Sequence, residues 1–568
     1  MKYLKKMKRV SLVLLAVVML FLTACGTKTA DTPASTNTNT GTPSGDTPAS
    51  TTPSVEIPTE SASMGAIGGE TAAEGANLAE HIDIILSENL VILNPLLPAG
   101  NGAAPTWTHR LVHDRLINQP EPGIFTPGLA NSWETDDFQT WTFYLRNDVT
   151  WHNGDHFTAA DVKFTVENAL ANPGTLANTR LRTIESVEVV DDYTVKLVLQ
   201  APNVDIFFEL ANHGGSSILN QRVFEQNPDD PMWAAIGTGP YRVKAFVPSV
   251  SMELERYDDF WGDPSPTKSL TLWSVPELAT RAVMLRNGEA QIALTLSMED
   301  YDSFDADPDF ELSSIVNVSP TCFSFNNMGN DIIMDMNFRL AVAHGLNTEE
   351  IALAAGGRWV MPPWDGNVWG AGVQYRVEGM PKREYDPELA KEYLAKSSYD
   401  GRTLELATVS GTSVTPEVVQ MQLKAIGIDI SIEAMDLASF VEMHTWKPDS
   451  DRQLHLFGIA ANPSALRTLR TGFVEGASTN RLNYANPLIT ELTTQIASSD
   501  DHDLRRDLAR QVQEILYDDM PAIPLFFSLS VVTAVKGIGG VKLSNDPFAN
   551  DYRGIYWDLD ETPASYLP

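Results

Sequence analysis

Apolar and polar residues alternate with period two at several separated points along the chain. Residues 81–86 (HIDIIL) predict a first strand, and Trp141, Phe143 and Leu145 alternate with Thr142, Tyr144 and Arg146 in another. Residues 184–190 and 193–199 flank Asp191-Asp192 and predict a hairpin. A second hairpin is predicted in 237–262, GTGPYRVKAFVPSVSMELERYDDFWG. There Tyr241, Val243 and Ala245 alternate with their neighbours, and after Pro248-Ser249 so do Met252 and Leu254. The Gly-Thr-Gly-Pro opening is a turn signal, because glycine reaches backbone angles other residues avoid and proline fixes the next one. The closing YDDFWG is expected to bring its three aromatics against the tip of that sheet. Helical spacing marks Trp107, Leu111, Val112 and Leu116, and also Val162, Phe164 and Val166 behind a Thr158–Asp161 cap. A helix is predicted over 277–285 and a strand over 290–294. From 319 onward, strands (319–327, 404–409, 428–434, 520–530) alternate with helices (338–346, 387–394, 416–426, 437–444, 504–516). That alternation predicts an α/β body with mixed sheets.

The ends change the picture. Lys2, Lys5, Lys6, Lys8 and Arg9 precede an apolar run over 10–22 that is interrupted only by Ser11. The run is shorter than the roughly 20 residues needed to cross a bilayer and has the form of a secretory signal. Leu22-Thr23-Ala24-Cys25 resembles the lipobox of bacterial lipoproteins, which implies cleavage before Cys25 and diacylglyceryl on its thiol. Residues 25–77 are rich in Thr, Ser, Pro and Gly, cannot bury enough surface to fold, and predict a disordered tether spanning roughly 40 Å. The 568 residues carry a formal charge of −34, and the leader holds none of the acids. Such a charge repels nucleic acid and anionic headgroups. Beyond Cys25 only Cys322 remains, in the apolar PTCFSF, so no intrachain disulfide follows and a buried thiol is expected.

Three stretches resemble family 5 (peptide/nickel-type) of the extracellular solute-binding proteins that serve ABC importers. They are the GTGPY hairpin with its FWG close, the 128–162 run GLANSWETDDFQTWTFYLRNDVTWHNGDHFTAADV, and NFRLAVAHGLNTEEI after residue 336. The resemblance extends over roughly 80–560. It implies a two-lobed, periplasmic-binding-protein-like fold (type II, class C) with mixed sheets and two crossing hinge strands. Lobe I would take in 78–318, with an inserted subdomain at about 110–235; lobe II would take in 319–527, and 528–568 would return to lobe I. The implied function is capture of a peptide-type solute by hinge closure and delivery to a permease and its ATPase. The protein would be a monomer without cofactor or metal and without catalytic residues. An oligosaccharide or another non-peptide solute is an alternative, as are a sensory binding protein and a secreted lipoprotein hydrolase. No GxSxG, HExxH or Walker motif occurs.

The resemblance also nominates contacts. Asn101 and Ala104 fall in the first ligand loop, and Ser249 at the hairpin tip matches a ligand-touching side chain. Trp364 and Trp369, in GGRWVMPPWDGNVWG, suit stacking on ligand rings. The family's oligopeptide binders carry an Asp that pairs with the peptide ammonium. Here the matching stretch, 456–466 (LFGIAANPSAL), has no Asp, and Asn462 stands near that position. A neutral amide supplies no charge to a desolvated ammonium, which weakens a free-amine peptide assignment. Arg467 and Arg470 follow; they are read as a clamp for a ligand carboxylate or, more plainly, as solvent-facing cations. His109 and His113, four apart, are expected to be partly exposed, with no third metal ligand nearby. His152, Asp155 and His156 are expected to shape a turn.

Overall fold

The structure is a computed structural model. It describes residues 66–568 except 98–102, 122–123, 212–214, 231, 329–330, 411–414, 437–438, 441–452, 460, 478–479 and 546–549. The leader, Cys25, nearly all of the tether and Asn101 lie outside the described residues, as do most of the helix expected over 437–444 and the side chain of Ala104.

Two strands dominate. Phe310–Phe325 and Ala522–Val535 pair antiparallel over most of their 16 and 14 residues, from Phe310 opposite Val535 to Ser324 opposite Ala522. Each is long enough to belong to both halves of the molecule. On one flank of this pair come Leu454–Gly458, Leu404–Val409 and Ile430–Met435; on the other come Ile292–Leu294, His81–Leu86, Ser269–Ser274, Ser251–Arg256 and Tyr241–Val247. Parallel pairs (His81–Leu86 with Ser269–Ser274) and antiparallel ones coexist, so the sheet is mixed. This is the two-lobed α/β arrangement, and Val532–Ala534 carries the chain back beside the first lobe's Ile292–Leu294.

Each half buries its own core. In the first lobe, alternate residues of the strands (Ile82, Ile84, Met252, Leu254, Leu270, Leu272) point into one apolar cluster. A separate four-stranded antiparallel sheet, ordered Ala130–Glu134, Thr140–Leu145, Thr194–Leu199, Ile184–Asp191, packs on the helix Ala159–Ala171 around Trp141, Phe143, Trp151 and Phe157. In the second lobe, Phe323, Phe325, Leu404, Leu406, Leu454 and Leu456 face helices Met336–Gly345 and Thr415–Ile426. Cys322 is fully buried on the opposite face, and burial pushes its thiol far up.

Three expectations shift. The strand expected over 319–327 begins at Phe310, because Glu311, Ser313, Ser314 and Asn317 break the apolar pattern where the strand lies partly open. The helix Pro487–Ala497 was not anticipated, although Asn486 caps it, proline opens it, and Ile489, Leu492 and Ile496 recur at helical spacing. The aromatics of YDDFWG sit at the open end of their hairpin rather than its tip. Tyr257 directly follows the strand Ser251–Arg256 and donates its hydroxyl to the Trp151 carbonyl at 3.1 Å.

Candidate functional site

The first-lobe motifs lock onto one another. The Gly237 N–H donates to His152 Nδ1 (3.2 Å), His152 Nε2–H donates to the Gly239 carbonyl (2.9 Å), and the His152 N–H donates to the Gly237 carbonyl (2.9 Å). A neutral imidazole satisfies both ring contacts at once, and burial holds His152 down at about 4. The same turn seals the end of helix Ala103–Val112. A Cβ on Gly237 would lie 1.8 Å from the Val112 carbonyl oxygen, so only glycine fits. His109 and His113 are therefore not exposed. They lie fully buried under this turn, with Nδ1 atoms 3.2 Å apart, and His113 donates Nε2–H to the Ala234 carbonyl at 2.8 Å. Burial pushes His113 down to about 3. Trp261 donates to Asp114 at 2.8 Å and Thr238 to the same oxygen at 3.1 Å. This constellation is scaffold.

The hinge lies between the two long strands. Their register slips between Val316 (opposite Leu529) and Pro320 (opposite Phe527), which leaves Asn317, Val318 and Ser319 in a bulge. Ser530 donates to Asn317 Oδ1 at 2.6 Å, and Ser319 Oγ exchanges hydrogen bonds with the Ala461 backbone at 3.2–3.3 Å. Gly370 approaches the bulge so closely that a Cβ would sit 2.3 Å from the Val318 carbonyl oxygen. Proline in place of a donor, together with a slipped register, gives the sheet a place to bend.

The chain around the four-stranded sheet meets helices of the later half of the chain along a charged seam. The short helix Ile206–Leu210 presents Asp205 at its start and Glu209 within it. Asp205 Oδ1 lies 2.6 Å from Arg505 Nη2, and its Oδ2 accepts from Ser464 at 3.2 Å. Glu209 pairs with Arg467, and Arg180 stands 3.8 Å from the same carboxylate. The Val204 N–H donates to the Ala497 carbonyl at 3.2 Å. Arg505 is 2% exposed, and Arg180, Asp205 and Arg467 are each 8% exposed, so these pairs are out of water. Arg470, on the same helix Ala465–Gly472, is half-buried and makes no hydrogen bond or ion pair among the described residues. Burial lowers its pKa, against the pull of Asp205 and Glu209. Four guanidiniums thus surround two carboxylates.

Arg467 and Arg470 are accordingly not solvent-facing: helix Ala465–Gly472 turns both toward the seam. Asn462 precedes that helix, half-buried; its backbone is tied to Thr468 Oγ1 at 2.9 and 3.1 Å, and its side chain makes no hydrogen bond among the described residues. Trp364 is half-buried against Phe527, ring centroids 4.9 Å apart, with the Arg376 guanidinium 4.8 Å from its own. Trp369 is fully enclosed in the second-lobe core beside Val318 and Cys322; it packs there rather than offering a face to a ligand. Ser249 is exposed at the hairpin tip in the left-handed region, with its N–H bonded to the Leu90 carbonyl at 2.9 Å. Asp205, Glu209 and Arg505 escaped sequence reading because their spacing carries no motif; only a fold brings 205, 467 and 505 together.

Residues 125–473 match the bacterial extracellular solute-binding proteins, family 5 Middle. The chain belongs to this family. It is similar to the glutathione-binding protein GsiB of Salmonella paratyphi A, 26% identical over 426 residues, covering 72% of this chain and 82% of that protein. It is likewise similar to di/tripeptide-binding protein 2 of Pseudomonas aeruginosa, 26% identical over 471 residues (77% and 87%). The fold superposes on the ABC transporter substrate-binding protein CtaP of Listeria monocytogenes with a TM-score of 0.74 at 20% identity, covering 85% of this chain and all of that one. These are binding proteins, not enzymes, and family 5 solute-binding proteins act outside the cytoplasm.

Proposed function

We propose that this family 5 protein captures a short peptide-type solute between its lobes and presents the closed form to an ABC permease and ATPase. The observation that carries the reading is the buried ionic seam, Asp205–Arg505 and Glu209–Arg467, which joins the subdomain to the second lobe beside a bulged hinge. A ligand touching both lobes favours closure by its differential affinity for the closed state. Buried pairs of this kind form only once water has left the seam, so closure and seam formation are one event. Asn462 and Trp364, near the hinge on the second lobe, are the contacts we assign to ligand, with Ser249 and the loop around Asn101 on the first. Arg467 acts through Glu209. The similarity to proteins named for glutathione and for di- and tripeptides supports short peptides as the solute class.

The protein works as a monomer held at the outer face of the membrane. Diacylglyceryl on Cys25 anchors it, and residues 25–77 hold the body clear of the bilayer. The test is a melting screen of di- and tripeptides, glutathione and oligosaccharides, with small-angle scattering on each hit. A ligand at a hundred times its Kd adds about 2.7 kcal/mol. Peptide hits that also compact the particle support the reading; stabilisation by oligosaccharides alone overturns the peptide assignment. Cys25→Ala is expected to move the protein from the membrane fraction to the medium.

A further inference from the structure

One cavity of the second lobe lies outside everything assigned so far. It opens on the sheet face away from helices Met336–Gly345 and Thr415–Ile426, and Ser324, Phe440, Phe457, Gly458, Gly472 and Arg481 contribute to its walls. Its atom-free space is about 340 Å³. That space includes open solvent at the mouth, so it is a recess for one charged end of a solute rather than for all of it. Strand Leu454–Gly458 runs from it toward Ala461, which is bonded to the hinge at Ser319, so the cavity is continuous in sequence with the hinge and seam.

Arg481 is the unexplained group. It is half-buried and, among the described residues, makes no hydrogen bond and no ion pair; its guanidinium rests 4.4 Å from the centroid of the Phe457 ring. Burial alone lowers its pKa. Stacking a cation on an aromatic face recovers only part of its lost hydration. Taking an ion out of water without a counter-charge costs more than a ring face returns, so the ring leaves the cation under-compensated. Nor does the chain lack acids: it has 74 Asp and Glu against 40 Lys and Arg. Yet residues 454–474 contain none, while Arg467 and Arg470 lie among them. Ser324, 4% exposed, also makes no side-chain hydrogen bond among the described residues. A cation, a hydroxyl donor and two aromatic walls, with no acid in the strand beneath, describe a receptor for an anion.

We infer that this cavity is a carboxylate subsite of the captured solute, with Arg481 as the charged donor, Ser324 as a second donor, and Phe440 and Phe457 covering the adjoining apolar part. The inference rests on the capture reading above and deepens it: the solute is bound at this end by its negative charge, not by an ammonium. A guanidinium presents paired N–H groups that match the two oxygens of a carboxylate.

The test uses the full-length protein and its Arg481→Gln variant, titrated with matched tripeptides as free acids and as C-terminal amides. Free acids are expected to bind at least tenfold tighter than amides. Arg481→Gln is expected to erase that difference and leave the amides unchanged. Without ligand, the variant is expected to melt no lower than the parent, because it removes an under-compensated cation. Equal affinity for acids and amides in the parent overturns the subsite, as does a ligand-free melting temperature lowered as far as by a core substitution. If no peptide binds the parent, the peptide assignment fails by itself. The subsite is then decided with benzoate and citrate: stabilisation of the parent but not of Arg481→Gln sustains it, and equal response of the two overturns it.

Discussion

Two buried polar regions of this molecule are built from the same residue types and differ in what satisfies them. In the first lobe, Asp551 takes both a bidentate contact from Arg553 (2.8 and 3.1 Å) and the nearby Arg110 guanidinium at 3.8 Å. Burial works against its ionisation, yet Arg110 and Arg553 hold its carboxyl well below the usual range. His152 spends both ring nitrogens on the Gly237–Gly239 turn, and Asp114 accepts from Trp261 and Thr238. Every partner there comes from the same lobe. In the second lobe and its seam, Asp205 is satisfied by residues across the junction and Glu209 by Arg467 across it together with Arg180 on its own side, while Arg470 and Arg481 make no hydrogen bond or ion pair among the described residues. The first region draws its partners from its own lobe and fixes shape, with only single atoms such as His109 Nε2 and Asp114 Oδ1 left without a hydrogen bond among the described residues. The second is left incomplete, and incompleteness in a buried site is what a ligand or a domain movement can exploit.

The comparison can be broken at its strongest point first. Gly237→Ala sets a methyl group against the Val112 carbonyl in the self-contained region, and is expected to cost at least about 4 kcal/mol in urea unfolding. A soluble variant of near-native stability would show that the turn is not the lock described here. Next, Arg505→Met strands the Asp205 carboxylate at the seam and is expected to cost about 3 kcal/mol. Adding Asp205→Leu should recover most of that loss, since two apolar side chains replace the pair. Additive losses in this double-mutant cycle would remove the coupling between lobes.

A pH titration separates the regions without mutation. His113 is held at about 3 in the folded protein against 6.5 when unexposed to such burial. A depressed folded value means the unfolded chain binds the proton more readily. Stability from this residue is therefore complete above pH 6.5 and is lost progressively as pH falls toward 3, by a few kcal/mol in all. His113→Gln should flatten that stretch of the stability profile; an unchanged slope would place the proton uptake elsewhere. The smallest effect is at the hairpin tip, where Ser249 holds φ +60. Ser249→Gly is expected to raise stability by up to about 1 kcal/mol by relieving a left-handed serine. If it also leaves peptide affinity unchanged, Ser249 drops out of the contact set.

Most of the scaffold could be read before any coordinates. Strand His81–Leu86, the hairpin of Tyr241–Val247 with Ser251–Arg256, and the helices Pro387–Lys396 and His502–Asp519 announce themselves through periodicity, caps and turns, all local signals. The hinge was only half visible. The polar half of Phe310–Phe325 holds its strand through pairing with residues two hundred positions away, and no local pattern encodes that. The candidate site was least legible. Arg467 looked like a surface cation until Glu209, 258 positions earlier, was brought to it.

The chain by itself determined the lobes' secondary structure, the glycine turn, and the dearth of acid across 454–474, because each depends on neighbours in sequence or on composition. Tertiary structure alone decided which charges are buried and which of them find a partner. Burial and ion pairing are properties of distance in space, and the residues that meet at the seam and around Arg481 share no spacing along the chain.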